Sequence, residues 1–239
     1  MSRSGTTVMV SISRIRATGR TRATRGQDAG SGEMRLMLLD DGRRVRVDAE
    51  QMARYGLAPG EAIADDLLAR LEAHDLYRRA REKAVRLLAI RPRTTAELRG
   101  RLRRSGVTGD LMRTVINDLT AARYLDDLAF ARAWVTGRMT SRLFGLRRLR
   151  WELRQKGLPP PIIEQAIRET FGEESPSDAE EQRARAVIAR RLPPYRRLAP
   201  EVRTRRLAGL LARRGFASTT IARVLRTTRD GGPPNHSDE

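Results

Sequence analysis

Apolar positions recur along this chain at helical spacing, and one arrangement of them is used three times. Leu98, Leu102 and Gly106-Val107 are matched by Leu149, Leu153 and Gly157-Leu158, then by Leu207, Leu211 and Gly215-Phe216. Leucines four apart share one helix face. A glycine four residues beyond the second leucine suits the left-handed position that closes a helix, where a Cβ is penalised. The match continues past each glycine. Met112, Ile163 and Ile221 come first, followed by Val115-Ile116, Ala166-Ile167 and Val224-Leu225. Residues spaced in this way predict a second amphipathic helix. One helix–glycine–helix unit is therefore repeated about every 50–60 residues, as in a small helical array.

The stretch ahead of the array follows a different rhythm. Val8 to Ile12 is a candidate strand, and Arg35–Leu39 and Val45–Val47 flank Asp40-Asp41-Gly42, which predicts a hairpin. A short helix over about 48–55 is halted by Gly56-Leu57-Ala58-Pro59-Gly60. The pattern from Ala62 onward is helical, with a helix from Tyr77 to Ile90 stopped by Arg91-Pro92. Thr94-x-x-Glu97 reads as a capping box opening the next helix, and a third spans about 108–123. The second unit opens at Asp126-Asp127, which suit a helix N-terminus, and continues with a helix over 145–156. Its last helix begins in Pro159-Pro160-Pro161. The third unit has helices near 178–192, 200–214 and 217–228, with Leu192-Pro193-Pro194 in the first loop. The expected organisation is a basic flexible segment with a candidate strand (1–32), then a small β-hairpin/helix cap (33–76). Three-helix repeats follow at 77–125, 126–172 and 178–230, and 231–239 is expected to be a disordered tail. The fold class is mainly α, as tandem three-helix repeats with a small β-containing N-terminal cap.

Charge narrows the class of partner. The 239 residues carry 48 Lys and Arg against 29 Asp and Glu, a net +19, which favours a polyanion. Lys83 and Lys156 are the only lysines. Arginine presents a planar fork that grips phosphate or carboxylate bidentately. A GC-rich genome explains part of the preference for arginine over lysine, but not the excess of positive charge. Residues 77–125, 126–172 and 182–230 carry +9, +4 and +12. Arg103-Arg104, Lys156 and Arg213-Arg214 precede the closing glycines, where cations favour the helix dipole by roughly 0.3–1 kcal/mol each. Arg147-Arg148-Arg150, Arg196-Arg197 and Arg203-Arg205-Arg206 go beyond that need. Candidate contacts to a polyanion are Arg99, Arg103, Arg147, Arg148, Arg150, Arg154, Lys156, Arg203, Arg205, Arg206, Arg213 and Arg214. Trp151 occupies a position held by Gly100 and Gly209 in the other units, about 200° around the helix from the leucines. It either packs against a neighbouring repeat, with Gly100 and Gly209 allowing close helix approach, or anchors a partner or a base. The first reading is slightly favoured.

Absences count as well. The chain has no cysteine, so disulfides, zinc–thiolate sites and cysteine nucleophiles are excluded. No apolar run approaches the roughly 18 residues of a membrane span, and Met1 to Val10 lacks a signal peptide's features. A soluble cytoplasmic protein is expected. There is no phosphate-binding Gly-x4-Gly-Lys motif and no His-Glu-x-x-His. His74 reads as a surface helix residue, and His236-Ser237-Asp238 lies in the tail. Asp126-Asp127 reads as helix capping rather than a catalytic carboxylate pair. No enzyme activity, cofactor or metal is expected.

A helix-turn-helix DNA reader also has helix–glycine–helix order, but it usually keeps a small residue four positions before its turn glycine. Here those positions are Leu102, Leu153 and Leu211. Three further segments carry a resemblance. They are Arg91-Pro92-Arg93-Thr94-Thr95-Ala96-Glu97-Leu98, then Tyr124-Leu125-Asp126-Asp127 with Phe130, Ala131 and Trp134, then Gly145 through Leu149, Glu152, Leu153 and Lys156-Gly157-Leu158. Together with Leu207 to Phe216 they resemble the RecX family of bacterial recombinase regulators over about 33–229. The resemblance implies a crescent of three-helix units that binds the RecA–DNA nucleoprotein filament along its groove. It also implies inhibition of RecA ATPase and strand exchange in recombination, repair and the SOS response, with contacts to single- and double-stranded DNA. The candidate cations and Trp151 are then expected to face that filament from a monomer, with no membrane involved. The arginine-rich stretch near 17–32 departs from the family's shorter turn. The alternative is a general helical DNA-binding protein or transcription regulator acting through phosphate contacts. The third unit is expected to supply most of the electrostatic grip and little of the other units' fold, so that a chain ending near Gly172 stays helical.

Overall fold

The computed structural model describes residues 10–18, 33–141, 143–171 and 175–230. The expectations for most of the arginine-rich stretch and for the tail lie outside these residues. The chain divides into two compact units, one of residues up to Arg86 with Val107–Val115, the other of Leu87–Gly106 with Ile116 onward.

In the first unit, strands β1 (Val10–Ala17), β2 (Met34–Leu39), β3 (Arg44–Asp48) and β4 (Ala62–Ile63) form an antiparallel sheet in the order β3-β2-β1-β4. The hairpin turns at Asp40-Asp41-Gly42, with Gly42 at φ 87°. Inward residues of alternating pattern, Val45 and Val47 among them, join Ile12, Met37, Leu39, Ile63, Leu68 and Leu71 in one core. Helix α1 (Ala49–Tyr55) opens with a capping box between Asp48 and Gln51. Helix α2 (Asp65–Ile90) begins well before Tyr77, where periodicity placed its start. The reason is Asp75, a buried acid that interrupts the apolar stripe of Leu68, Leu71, Ala80 and Ala84. Arg46 Nε reaches its carboxylate at 2.7 Å and Arg79 Nε at 3.1 Å, so the helix carries through a position that looks polar.

The second unit holds α3 (Thr95–Arg103), α5 (Asp127–Ser141), α6 (Leu146–Gln155), α7 (Pro160–Phe171), α8 (Pro176–Tyr195), α9 (Pro200–Arg213) and α10 (Ser218–Asp230); α4 (Gly109–Ala121) is divided between the two. With ten helices among the described residues, the fold is mainly α. The six stripe leucines are at most 1% exposed, and Gly106, Gly157 and Gly215 all have φ near +80°. Leu149 and Leu153 pack with Ala131, Val135, Ile163 and Ile167; Leu207 and Leu211 pack with Val187, Phe216 and Val224.

Two local expectations are corrected. Thr94 Oγ1 accepts the Glu97 N–H at 3.1 Å, but the Glu97 carboxylate turns to Arg91 and Lys156, so only half of a capping box forms. Helix α8 runs through Leu192-Pro193-Pro194 to Tyr195. Proline removes a donor and its ring crowds the carbonyl four residues back, but both prolines fall in the last turn, and Pro193 O still accepts Arg196 N–H at 3.4 Å.

The closing glycines also join the repeats. A Cβ on Gly157 would collide with the Ala96 Cβ of α3, and Thr94 Oγ1 donates to the Lys156 carbonyl at 2.6 Å. One repeat later, Gly145 N–H donates to Arg214 O at 3.0 Å and Arg147 N–H to Gly215 O at 3.1 Å. A Cβ on Gly145 would strike the Gly215–Phe216 backbone, and one on Gly215 would lie 2.5 Å from Arg148 Cβ. The closing turns of the second and third repeats thus seat on the N-terminus of the second helix of the repeat before and accept donors near that helix end. Buried Glu180 of α8 adds to this seat, accepting Leu146 N–H and the Thr220 hydroxyl, each at 2.7 Å. The third repeat therefore completes the start of α6, contrary to the expectation that it contributes little to the fold of its neighbour. Gly100 and Gly209 are not the close-approach points: a Cβ on Gly100 would meet open space, and one on Gly209 only Arg213 of its own helix.

Candidate functional site

The second helix of each repeat buries its leucine stripe and turns its cations outward. In α6 the buried face is Leu146, Leu149, Glu152 and Leu153. The opposite positions Arg147, Trp151, Arg154 and Gln155 are exposed, Trp151 at 48%. Trp151 thus stands half-exposed on the side of α6 away from its leucine stripe.

The candidate cations separate into two groups. Arg150 grips Glu164 of α7 through Nε and Nη2, both at 2.8 Å, and this fork holds the Glu164 carboxyl below its usual range. Lys156 pairs with Glu97 at 3.1 Å and lies over the Trp134 ring at 4.2 Å. Arg148 donates to Glu152 at 3.0 Å. These three heads are engaged within the fold. The others, Arg99 and Arg103 of α3, Arg147 and Arg154 of α6, and Arg203, Arg205, Arg206, Arg213 and Arg214 in and just after α9, make no ion pair among the described residues. All but Arg203 and Arg214, which are half-buried, are exposed.

Glu152 organises the middle repeat, a role its heptad-like position on α6 did not announce. Its Oε2 takes Arg138 Nε at 2.8 Å and Trp134 Nε1 at 3.1 Å, while Oε1 takes Arg148. Burial pushes its pKa up, but the donors from Arg148, Arg138 and Trp134 outweigh burial and set it below the ordinary carboxylate range. Asp126 and Asp127 act as caps: Asp126 accepts Ala129 N–H and Asp127 accepts Thr95 N–H, each at 2.8 Å.

One surface went unread in the sequence. Thr95, Arg99, Ile116, Asn117, Thr120, Ala121 and Arg123 line an open groove of about 570 Å³. Arg123 is the one non-glycine residue at positive φ (60°) among the described residues. A helix ending without glycine, before Tyr124-Leu125, is the only sequence signal for it. Two guanidinium groups and three neutral polar side chains give the groove anion-binding chemistry. Among the described residues no acid/histidine cluster suits a metal ion, and no helix is long and apolar enough to cross a membrane.

Comparison with known proteins places these repeats. Models described as the first, second and third three-helix domains of RecX match residues 80–119, 126–167 and 178–225. A regulatory protein RecX of Thermobifida fusca is 40% identical over 152 residues, covering 64% of this chain and 80% of that protein. One of Prosthecochloris aestuarii is 36% identical, covering 62% and 92%. A crystal structure of regulatory protein RecX superposes with a TM-score of 0.67 at 20% identity, covering 93% of this chain and all of the other, a likeness of fold.

Proposed function

Because the chain belongs to the RecX family of regulatory proteins, we propose that it regulates the RecA recombinase without catalysing a reaction of its own. It binds RecA–DNA filaments in the cytoplasm and slows their ATP hydrolysis and strand exchange. The observation that supports this reading is the set of guanidinium groups on the second helices of all three repeats that make no ion pair among the described residues. A repeated helix presents the same chemistry at intervals, which suits a partner that is itself repetitive and acidic. Arginine contacts to phosphate release counterions, so the grip weakens steeply with salt and depends little on base sequence.

The test is RecA's DNA-dependent ATPase, titrated with this protein, alongside co-sedimentation with RecA filaments and with naked DNA. Slowed hydrolysis and filament-dependent sedimentation support the proposal. Unchanged ATPase and strand exchange at saturating protein refute it and leave a general DNA-binding protein.

A further inference from the structure

We propose that Trp151 is a stacking platform for an unpaired base, giving this protein a preference for single-stranded over duplex nucleic acid. The inference rests on the polyanion-binding reading above and adds the residue that selects among polyanions. Three observations carry it. Trp151 is a large apolar side chain left 48% exposed on α6, where the equivalent helices carry glycine. The ring is held in place: the Arg148 guanidinium lies 4.5 Å from its centroid, and Arg148 is itself fixed by buried Glu152 at 3.0 Å. Glu152 is anchored in turn by Arg138 and Trp134. The same outward face of α6 carries Arg147 and Arg154, four residues before and three after Trp151, both exposed and without ion pairs among the described residues.

An indole with fixed orientation loses little side-chain entropy on accepting a ligand. A cation on the ring and two more along the helix favour a polyanion over an apolar or basic peptide. Within a duplex each base face is already stacked on its neighbours. An unpaired base offers a free face, and stacking on an aromatic side chain is sequence-tolerant because every base has a π-face. Arg147 and Arg154 then meet the flanking phosphates.

The test compares wild type, Trp151→Ala and Trp151→Phe for binding to an oligothymidylate single strand, a DNA duplex of equal length, and heparin. Trp151→Ala should weaken the single strand by about tenfold or more while leaving duplex and heparin nearly unchanged. Trp151→Phe should retain most of the single-strand affinity. The single strand should quench indole emission in wild type, and heparin should not. Unchanged single-strand affinity in Trp151→Ala overturns the inference. Equal weakening towards all three probes also overturns it, because Trp151 would then serve only to place its arginines. If wild type binds none of the three, the polyanion reading fails as well, which separates the two outcomes.

Discussion

A methyl group added at Gly157 tests whether the closing glycines join repeats as well as end helices. Gly106 and Gly157 have nearly the same backbone, φ +82° and +77°, but a Cβ on Gly106 meets open space while one on Gly157 collides with Ala96 Cβ. Gly106→Ala therefore reports the left-handed conformation alone, about 1–2 kcal/mol. Gly157→Ala adds an overpacking cost of roughly 1–3 kcal/mol, because the obstacle is a Cβ on a helix and not the tip of a flexible chain. Ala96→Gly should relieve that collision, since the next atom, Ala96 Cα, would be 3.8 Å away, an ordinary contact. Urea unfolding of the single and double variants, followed by helix circular dichroism, gives the coupling directly. The double variant should recover roughly 1–3 kcal/mol relative to the sum of the two single destabilisations. Equal destabilisation by Gly106→Ala and Gly157→Ala, together with zero coupling, would refute the seating of one repeat's turn on the helix before it.

The remaining predictions concern charge and the third repeat. Glu152 titrates below its ordinary 4.5 in the folded protein, so its stabilisation is full above about pH 4.5 and disappears as pH falls through the folded value. Glu152→Gln should cost about 1–3 kcal/mol at neutral pH, and the gap from wild type should narrow in acid; a pH-independent gap in melting experiments refutes this. A chain ending at Gly172 lacks the acceptors for the N–H groups of Gly145, Leu146 and Arg147 and should melt well below the full chain; an equal melting temperature would mean α6 starts without them. Arg203, Arg205 and Arg206 changed together to alanine should weaken DNA binding and lower the salt slope by about one for each phosphate no longer neutralised; an unchanged slope removes α9 from the interface.

Much of the repeat was legible because its rules are local. A stripe of leucines four apart, a glycine after each stripe, an Asp-Gly hairpin turn and the capping Asp126 each act within a few residues, so periodicity and turn chemistry expose them, whereas Asp127 caps a helix 32 residues away in the chain. The start of α2 was hidden by Asp75, a buried charge whose partner Arg46 is 29 residues away. The end of α8 was hidden because Pro193, in the last turn, still accepts a hydrogen bond from Arg196 N–H. The candidate cations divided for the same reason. Lys156 is engaged by Glu97, 59 residues distant, and Arg150 by Glu164, 14 distant, while their neighbours Arg154 and Arg147 make no ion pair among the described residues. Sequence alone determined that this chain makes repeated, basic, amphipathic helices, because helix face and charge follow from residue order. Only the tertiary structure decided which charges are left over for a partner and that Trp151 faces outward. Those outcomes depend on which distant side chains arrive at the same place.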